Sequence, residues 1–295
     1  MGMDETFTQL SGHQGAIYDA AWNADTCTWM TAGGDGIVAE WSQDGSGEGK
    51  ALLHHDRAFF SVGSWAAERV AGTENGELFR WTSGNAASAR RIEAHQKGVF
   101  ACSWNQQGQL FTGGGDERIV AWRSQQIDRE WTWHGAQKIR CIVPSEAGTF
   151  IGTSEGRACI STSMNTIHSL QEVVAIKGHD GGTYAAIWHA QKGVWISGGR
   201  DGHLRVWRPD GSEVLSIPAH EGAIYRLILT PSTLWSASRD ASIKAWDAST
   251  LSPCRKIGRR EGGGSRSINA LQLNVGTPSL LLFGGDDRTG RLVSL

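Results

Sequence analysis

The stretch LSGHQGAIYDAAW (10–22), followed after eight residues by TAGGDGIVAEW (31–41), decides the fold. In the first pattern Tyr18 lies five positions after His13, and in the second Asp35 lies six positions before Trp41. The segment AIYDAAW alternates apolar and polar residues with period two, which is typical of a half-buried β-strand. Internal copies of such a linked pair would indicate a repeat architecture.

Both patterns recur three more times along the chain. The copies of the first are IEAHQKGVFACSW (92–104), IKGHDGGTYAAIW (176–188) and IPAHEGAIYRLIL (217–229). The copies of the second are TGGGDERIVAW (112–122), SGGRDGHLRVW (197–207) and SASRDASIKAW (236–246). In every copy of the second pattern, the Asp lies six residues before the Trp and four after a Ser or Thr. Two patterns that follow each other at nearly constant spacing in four places indicate a repeated structural unit.

Weaker copies fill the gaps between the four strong ones. They are HHDRAFFSVGSW (54–65) with AGTENGELFRW (71–81), HGAQKIRCIV (134–143) with IGTSEGRACIS (151–161), and SINALQL (267–273) with GGDDRTGRLVSL (284–295). The seven units end at Trp41, Trp81, Trp122, Ser161, Trp207, Trp246 and Leu295. Their average length of about 42 residues is typical of a four-stranded propeller blade. The many glycines favour tight turns between short strands.

These motifs resemble the WD-repeat (WD-40) β-propeller family over essentially the whole chain. The resemblance implies an all-β fold, a seven-bladed β-propeller with four-stranded antiparallel blades. TFTQLSGH (6–13) aligns with the outer strands EVVAIKGH (172–179) and EVLSIPAH (213–220). We therefore expect the N-terminal strand to join the last blade and close the ring, which removes open sheet edges. Residues 1–295 are expected to form a single WD-repeat domain.

The resemblance also implies a buried hydrogen-bonded network of His, Ser or Thr, Asp and Trp in each strong repeat. The four sets are His13, Thr31, Asp35, Trp41; His95, Thr112, Asp116, Trp122; His179, Ser197, Asp201, Trp207; and His220, Ser236, Asp240, Trp246. The weak repeats depart from it, since Ala71 and Ile151 occupy the hydroxyl position of units two and four. Those units and unit seven must hold together by apolar packing.

Composition limits the classes of function. The formal net charge is −2, so the chain as a whole has no basic footprint for nucleic acid. Five widely spaced cysteines without a Cys-x-x-Cys pair fit a reducing compartment. The N-terminus lacks the pattern of a secretion signal, and no apolar run is long enough to span a bilayer. The sequence therefore predicts a cytoplasmic protein without nucleic-acid or membrane binding, monomeric as an isolated chain.

Catalytic and metal-binding roles explain these residues less well than a structural role within the blades does. Repeated Ser or Thr, His and Asp sets resemble a hydrolase triad, but a triad needs an exposed nucleophile and an oxyanion hole. His54, His55 and Asp56 could form a metal fragment, but adjacent histidines rarely point the same way. Nine of the 14 tryptophans fall at two repeat positions, which predicts core packing rather than a ligand cage. We expect no enzyme activity, cofactor or metal.

The remaining candidate functional residues lie at positions that are repeated less strictly. All three tyrosines occupy the position five residues after a repeat histidine, and arginines precede two repeat aspartates. Tyr and Arg are enriched in binding hot spots. The predicted partner-binding residues are Tyr18, Phe100, Arg140, Tyr184, Arg200, Tyr225 and Arg239. An apparent insertion, RKIGRREGGGSRS (255–267), is expected on the same face.

This set predicts a non-catalytic scaffold, a subunit or adaptor in a larger assembly. It would bind a protein or peptide, acidic or phosphorylated, through the top face and the channel mouth, because guanidinium groups pair well with carboxylate and phosphate. Two alternatives stay open from the sequence. The tyrosines could merely line the channel while the arginines are solvated, or the channel mouth could serve an enzyme or a small-ligand binder.

Overall fold

The computed structural model describes residues 7–124, 126–161, 173–274 and 279–295. In these residues, 28 β-strands form seven four-stranded antiparallel sheets, and a 3-10 helix covers Arg259–Glu261. The sheets are the seven blades of a β-propeller, which confirms the fold class and the blade count expected from the repeats.

The strand bounds follow the repeat, with one sheet for each unit. The N-terminal strand is β1 (Thr8–Leu10). Blade one holds β2 (Ile17–Asn23), β3 (Thr28–Gly33), β4 (Ile37–Ser42) and β5 (Lys50–His54). Blade two holds β6 (Phe59–Trp65), β7 (Glu68–Thr73), β8 (Glu77–Thr82) and β9 (Asn85–Glu93). Blade three holds β10 (Val99–Trp104), β11 (Leu110–Gly114), β12 (Arg118–Arg123) and β13 (Gln126–Thr132).

The later blades are built in the same way. Blade four holds β14 (Ile139–Ser145), β15 (Gly148–Thr153), β16 (Ala158–Ser161) and β17 (Val174–Ile176). Blade five holds β18 (Thr183–His189), β19 (Val194–Gly199), β20 (His203–Trp207) and β21 (Glu213–Pro218). Blade six holds β22 (Ile224–Leu229), β23 (Thr233–Ser238), β24 (Ile243–Asp247) and β25 (Pro253–Ile257). Blade seven holds β26 (Ile268–Leu273), β27 (Leu280–Gly285) and β28 (Gly290–Ser294).

The N-terminal strand completes blade seven. β1 pairs antiparallel with β28, with Thr8 opposite Leu292 and Leu10 opposite Gly290. Leu10 is buried in the same apolar cluster as Leu292. The expected closure of the last blade by the N-terminal strand is therefore confirmed, and it leaves β28 with a partner on each side.

The described chain divides into two compact units, which we call unit A and unit B. Unit A comprises the described residues within Met1–Glu74, Phe79–Ile92 and Ile228–Leu295, and unit B those within Asn75–Leu78 and Glu93–Leu227. In unit A the first strand of blade one contacts the first strands of blades two and seven, and in unit B the first strand of blade four contacts those of blades three and five. The last strands β9 and β21 are largely exposed, in keeping with their polar sequences NAASARRIE and EVLSIP.

The core lies between sheets within each unit. In unit A, Trp29 and Trp41 pack with Leu10 and Ile17, and in unit B a comparable cluster is built around Phe150, Trp195 and Trp207. The five tryptophans that close the strong units and unit two are all buried: Trp41, Trp81, Trp122, Trp207 and Trp246.

The other four repeat tryptophans are less buried than the predicted core packing requires. The prediction is wrong for one of them and only partly confirmed for the other three. Trp65 is 40% exposed, and Trp22, Trp104 and Trp188 are only partly buried. These residues lie at or next to the end of a first strand, and two of them, Trp22 and Trp188, pack against buried clusters. Trp188, for example, lies with its ring centre 5.1 Å from that of the buried Trp195.

Candidate peptide-binding surface

The strong repeats bring their polar residues together, as blade five illustrates. His179 Nδ1 lies 2.8 Å from Oδ1 of Asp201, and its Nε2 lies 2.8 Å from the hydroxyl of Ser197. Trp207 donates its indole N–H to the same hydroxyl at 2.8 Å. Because a carboxylate only accepts, His179 donates from Nδ1 and accepts at Nε2, and each member has a compatible partner.

Blades one and three repeat this arrangement. His13 Nδ1 lies 3.0 Å from Asp35 Oδ2, its Nε2 lies 2.8 Å from Thr31, and Trp41 donates to Thr31 at 2.8 Å. The corresponding distances in blade three, for His95 to Asp116, His95 to Thr112 and Trp122 to Thr112, are 2.9, 2.9 and 3.0 Å. The three hydroxyls are buried against an indole and an imidazole, so the arrangement stiffens a blade and offers no exposed nucleophile.

In blade six, the part of this geometry that lies within unit A involves Trp246 and Ser236. Trp246 donates to Ser236 at 2.9 Å in unit A, while the Asp240 carboxylate accepts from the backbone N–H and the hydroxyl of Ser242. His220 belongs to unit B and is buried.

The pKa values of the network aspartates in blades one, three and five are lowered, which favours the ionised form. Burial opposes ionisation of Asp116, but hydrogen bonds from the His95 ring and the Gln96 backbone outweigh it and lower the pKa of Asp116 to about 2. Burial likewise opposes ionisation of Asp201, and His179 and Arg205 keep its pKa below the ordinary range. Hydrogen bonding to the charged form therefore dominates at these sites.

The weak blades lack the hydroxyl of the network, and blade two is not held by apolar packing alone, since its buried Arg69 and Arg80 pair with Asp25 and Glu68. Ala71 in blade two and Ile151 in blade four occupy the hydroxyl position, and both are fully buried. Ser161 takes the closing tryptophan's place in blade four, where its buried hydroxyl has no hydrogen-bond partner in the described structure. Both blades keep the four-stranded sheet without the repeat hydroxyl.

Four of the predicted partner-binding residues share one structural position. Phe100, Arg140 and Tyr184 are each the second residue of the first strand of a blade, and the ladder to the second strand skips them. Such a bulge leaves one residue unpaired and re-aims its side chain. Tyr18 lies at the same irregularity in blade one. The position five residues after the repeat histidine is therefore a bulge, a feature that spacing alone did not identify.

In unit B these residues form a cluster in which aromatic and basic groups alternate. The Arg140 guanidinium lies 5.0 Å from the ring centre of Phe100 and 5.0 Å from that of Tyr184. Tyr184 stacks on Tyr225, with ring centres 5.6 Å apart and planes inclined by 27°. We call Phe100, Arg140, Tyr184 and Tyr225 the basic aromatic cluster. Four of the predicted residues are thus brought together by four adjacent first strands.

Two further basic side chains border the cluster. Lys138 Nζ lies 5.2 Å from the ring centre of Phe100, a contact that sequence reasoning missed. Arg200 packs against Gly181, whose carbonyl also accepts the Tyr184 hydroxyl at 3.3 Å. Lys138 and Arg200 are exposed, and neither pairs with a carboxylate of the described residues. The cluster is therefore flanked by cations whose charge is not neutralised within the described chain.

The predicted residues of unit A have different surroundings. The Tyr18 ring packs edge-on against Phe60, with centres 5.2 Å apart. Burial first, and then the negative charges of Asp286 and Glu74, raise the pKa of Tyr18. Arg239 is exposed. Tyr18 thus lies among acidic groups, whereas the tyrosines of unit B lie among basic ones.

The segment 255–267 is only partly the inserted loop that the sequence predicted. Its first three residues belong to the outer strand β25 of blade six, and a 3-10 helix, Arg259–Glu261, follows. Glu261 accepts the Gly258 backbone N–H at 2.9 Å, and Asp287 accepts the Ser265 N–H at 2.9 Å. The loop is therefore shorter than expected and is tied to its own unit by these bonds.

A cavity of about 440 Å³ lies at the opposite end of blade three. Its lining includes Gln109, Arg123 and Asp128, and none of the predicted partner-binding residues. The Asp128 carboxylate accepts from Gln109 at 3.2 Å and pairs with Arg123 at 3.4 Å. These three polar side chains of the cavity therefore pair with one another. The basic side chains beside the basic aromatic cluster, by contrast, have no carboxylate partner among the described residues.

The described residues include neither a candidate membrane span nor a candidate metal site. No helix there is long and apolar enough to cross a membrane. In the same part of the chain, no group of three or more His, Cys, Asp or Glu side chains is arranged to hold a metal ion.

The fold, the blade networks and the bulge residues define a repeat propeller, and comparison with known families agrees. The family model described as "WD domain, G-beta repeat" matches residues 4–42, 87–123, 170–208 and 211–247, just over half of the chain. The chain belongs to the WD40 family. The four matched segments contain the four strong repeats, and the weak ones fall between or after them.

Curated relatives match at low identity over part of the chain. Echinoderm microtubule-associated protein-like 1 of Mus musculus is 23% identical over 175 residues, covering 54% of this chain and 20% of the relative. Echinoderm microtubule-associated protein-like 2 of Rattus norvegicus is 26% identical over 171 residues, covering 53% and 25%. The 77 kDa echinoderm microtubule-associated protein of Lytechinus variegatus is 22% identical over 183 residues, covering 61% and 26%. The matches thus span about a fifth to a quarter of these relatives.

Proposed function

We propose that this protein is a non-catalytic scaffold or adaptor that binds another protein through the basic aromatic cluster of unit B. The bound segment is acidic or phosphorylated. One observation carries the proposal: Lys138 and Arg140 lie beside half-buried aromatic rings, Arg200 lies next to Gly181, and none of the three basic side chains pairs with a carboxylate of the described residues. The other predicted residues, Tyr18 and Arg239, lie in unit A, and a binding role for them is a separate proposal.

Physical chemistry favours a partner at such a surface. Basic side chains without an internal counter-charge are available to an acidic ligand, and Arg forms two parallel hydrogen bonds with carboxylate or phosphate. Tyr and Arg in partly desolvated positions are the residue types that dominate binding energy at interfaces. Mounting them on the first strands of adjacent blades keeps them fixed before the partner arrives, which lowers the entropy cost of binding.

The blade networks support a non-catalytic role. A nucleophile must be exposed and must face an oxyanion hole. The hydroxyls of Thr31, Thr112 and Ser197 are instead buried, and each accepts an indole N–H. In the proposal these groups serve stability alone.

The cysteines support a cytoplasmic location. All five are free, and burial raises the pKa of Cys141 and Cys159 to about 12. Such thiols are inert and suit a reducing compartment. We further propose that residues 1–295 form one domain that is monomeric as an isolated chain and binds neither nucleic acid nor membrane. The pairing of β1 with β28, which joins the two ends of the chain, supports the single domain.

The curated relatives support protein binding in general. Their names record association with microtubules, a property of those whole proteins, of which this chain matches only a fraction. Only the coarser role, a scaffold with a protein partner, is carried over to this chain.

Affinity capture from cytosol with quantitative mass spectrometry tests the proposal. The baits are the wild type, Arg200→Glu, and the double variant Arg200→Glu, Arg239→Glu. Arg208→Glu is the matched control, because Arg208 is an exposed arginine of the same blade that follows β20 at the opposite end of the sheet. We expect partners that the wild type and the control retain to be lost from both other baits. Undiminished capture by the folded double variant would exclude this surface.

A further inference from the structure

Arg140 differs from the other basic residues of unit B in being held inside the protein surface. It is the second residue of β14, whose neighbours on either side are β10 and β18. Phe100 projects from the first of these strands and Tyr184 from the second, each with its ring centre 5.0 Å from the guanidinium carbon. The guanidinium is therefore flanked by an aromatic ring from each adjacent blade.

The hydrogen-bonding capacity of Arg140 is unused. Its Nε atom is buried and has no hydrogen-bond partner, and the guanidinium forms no ion pair with a described carboxylate. A guanidinium has five N–H donors and no acceptor, so leaving the buried Nε donor without a partner is costly. The aromatic rings offset part of this cost through cation–π attraction, but they satisfy no donor.

A second positive charge increases this cost. Burial, and next the charge of Arg226 on β22, lower the pKa of Arg140. Arg226 itself donates to the Tyr225 carbonyl at 3.1 Å. Two guanidinium groups close enough to repel each other are stabilised by an anion that approaches both.

We propose that Arg140 is the anchor of an anion-binding subsite that takes a single carboxylate or phosphate group from a bound partner. The subsite deepens the proposed function and rests on it. The flanking rings restrict the approach to the edge of the guanidinium, because N–H donors point outward in its plane. An oxyanion arriving along that edge accepts hydrogen bonds from Arg140 and screens its repulsion with Arg226.

The surroundings select an anion over other ligand groups. A cationic or aromatic partner group would meet Lys138 or a guanidinium and leave the Arg140 donors unmet. The equivalent bulge residue of blade one, Tyr18, faces the charges of Asp286 and Glu74 and would repel an oxyanion. The charge pattern thus confines the subsite to unit B.

The direct test is an NMR titration of the full chain with sodium phosphate and, separately, sodium acetate, against sodium chloride at equal ionic strength. The reporter is the arginine side-chain Nε–Hε resonance of Arg140, assigned by its disappearance in Arg140→Lys. We expect a saturable shift of this resonance and none for exposed Arg208. Saturation with phosphate alone identifies a phosphate group, and saturation with both anions identifies an oxyanion in general. No shift with either anion would overturn the proposal.

A second measurement uses variants. Arg140→Met keeps length and apolar stem and removes the donors, and Arg208→Met is the matched control. We expect phosphate to bind Arg140→Met at least about tenfold more weakly than the wild type, the loss that follows from removing a charged hydrogen bond. Equal affinity in a folded Arg140→Met would contradict the subsite. If Arg140→Met does not fold, the wild-type titration decides alone.

Peptide pools separate this proposal from the general function. Three immobilised pools carry neutral random residues around a fixed Glu, phosphoserine or Gln. We expect the wild type to prefer the charged pools and Arg140→Met to lose that preference. Loss of pool preference with cytosolic partner capture retained would remove the subsite and leave the scaffold role standing. Capture that is unaffected by the Arg200 and Arg239 variants would remove the scaffold surface itself.

Discussion

His179 and Asp201 are 22 positions apart in the chain, yet Nδ1 of the one lies 2.8 Å from Oδ1 of the other. His179 stands before β18, and Asp201 lies in the turn between β19 and β20. The bond therefore ties the start of one blade's first strand to the turn that joins its second and third strands. The imidazole is buried and the carboxylate is largely so, which makes the pair sensitive to the loss of either member.

We predict that His179→Ala and Asp201→Ala each lower the free energy of unfolding by about 1–3 kcal/mol, because each leaves buried polar partners unmet. Urea unfolding followed by tryptophan fluorescence measures the change. Asp180→Ala is the control, since Asp180 is exposed and directly follows His179 in the chain. Partner capture by the folded variants should be unchanged. Lost capture at unchanged stability would assign these residues to binding instead.

The repeat made this part of the molecule predictable from the sequence. The fixed spacings between Thr31, Asp35 and Trp41, and the nearly constant distance from His13, recur in blades that must all build the same sheet, so spacing translates into geometry. The basic aromatic cluster was harder to foresee, because Arg140 meets Phe100 and Tyr184 across blade boundaries that no single repeat contains. The bulge that re-aims these residues has no residue signature of its own.

Local chemistry explains the parts that were missed. Lys138 lies in a weak repeat, whose alignment rested on apolar residues only, and Arg226 follows a repeat tyrosine without recurring elsewhere. Residues 255–257 were assigned to a loop because their charged side chains do not show the apolar alternation of a strand. They belong to strand β25, whose outer edge is exposed and accommodates charged side chains. Sequence periodicity reports burial, and an exposed edge strand has little of it.

The two large buried tryptophans of blade five offer a matched comparison of a satisfied and an unsatisfied indole. Trp195 and Trp207 face each other across β19 and β20, and both are essentially fully buried. Trp207 donates to Ser197 at 2.8 Å, whereas the Trp195 indole N–H has no hydrogen-bond partner among the described residues. We predict that Trp207→Phe costs about 1 kcal/mol more than Trp195→Phe in urea unfolding, the value of one hydrogen bond. Equal costs would mean that the network bond contributes nothing beyond packing.

The network aspartates predict how stability depends on pH. The pKa of Asp116 is about 2 in the folded protein, below the value of about 3.9 for an unperturbed Asp. Its stabilising contribution is therefore complete above about pH 4 and is lost as the pH falls through about 2. We predict that the free energy of unfolding of the wild type falls more steeply between these pH values than that of Asp116→Asn. Identical pH profiles would show that Asp116 titrates alike in the folded and unfolded states.

A glycine next to the cluster links backbone conformation to binding. Gly182 has a φ of +148°, and a Cβ added there would lie 2.4 Å from the Tyr184 ring. An alanine at this position must therefore displace the ring that flanks Arg140 and stacks on Tyr225. Gly193, in the turn of the same blade, has a φ of +62° and no atom within 4 Å of an added Cβ. Its substitution brings backbone strain without a clash.

We predict that Gly193→Ala lowers stability by about 1 kcal/mol, the cost of a non-glycine residue at positive φ, and that Gly182→Ala lowers it by more, because the clash with the Tyr184 ring adds to the strain. Only Gly182→Ala should also weaken partner capture, because only there does the new methyl group move a residue of the proposed surface. Thermal unfolding and quantitative capture on the same preparations make the comparison. Weakened capture by Gly193→Ala to the same degree would trace the effect to general destabilisation, and Tyr184 would lose its proposed role as a binding residue.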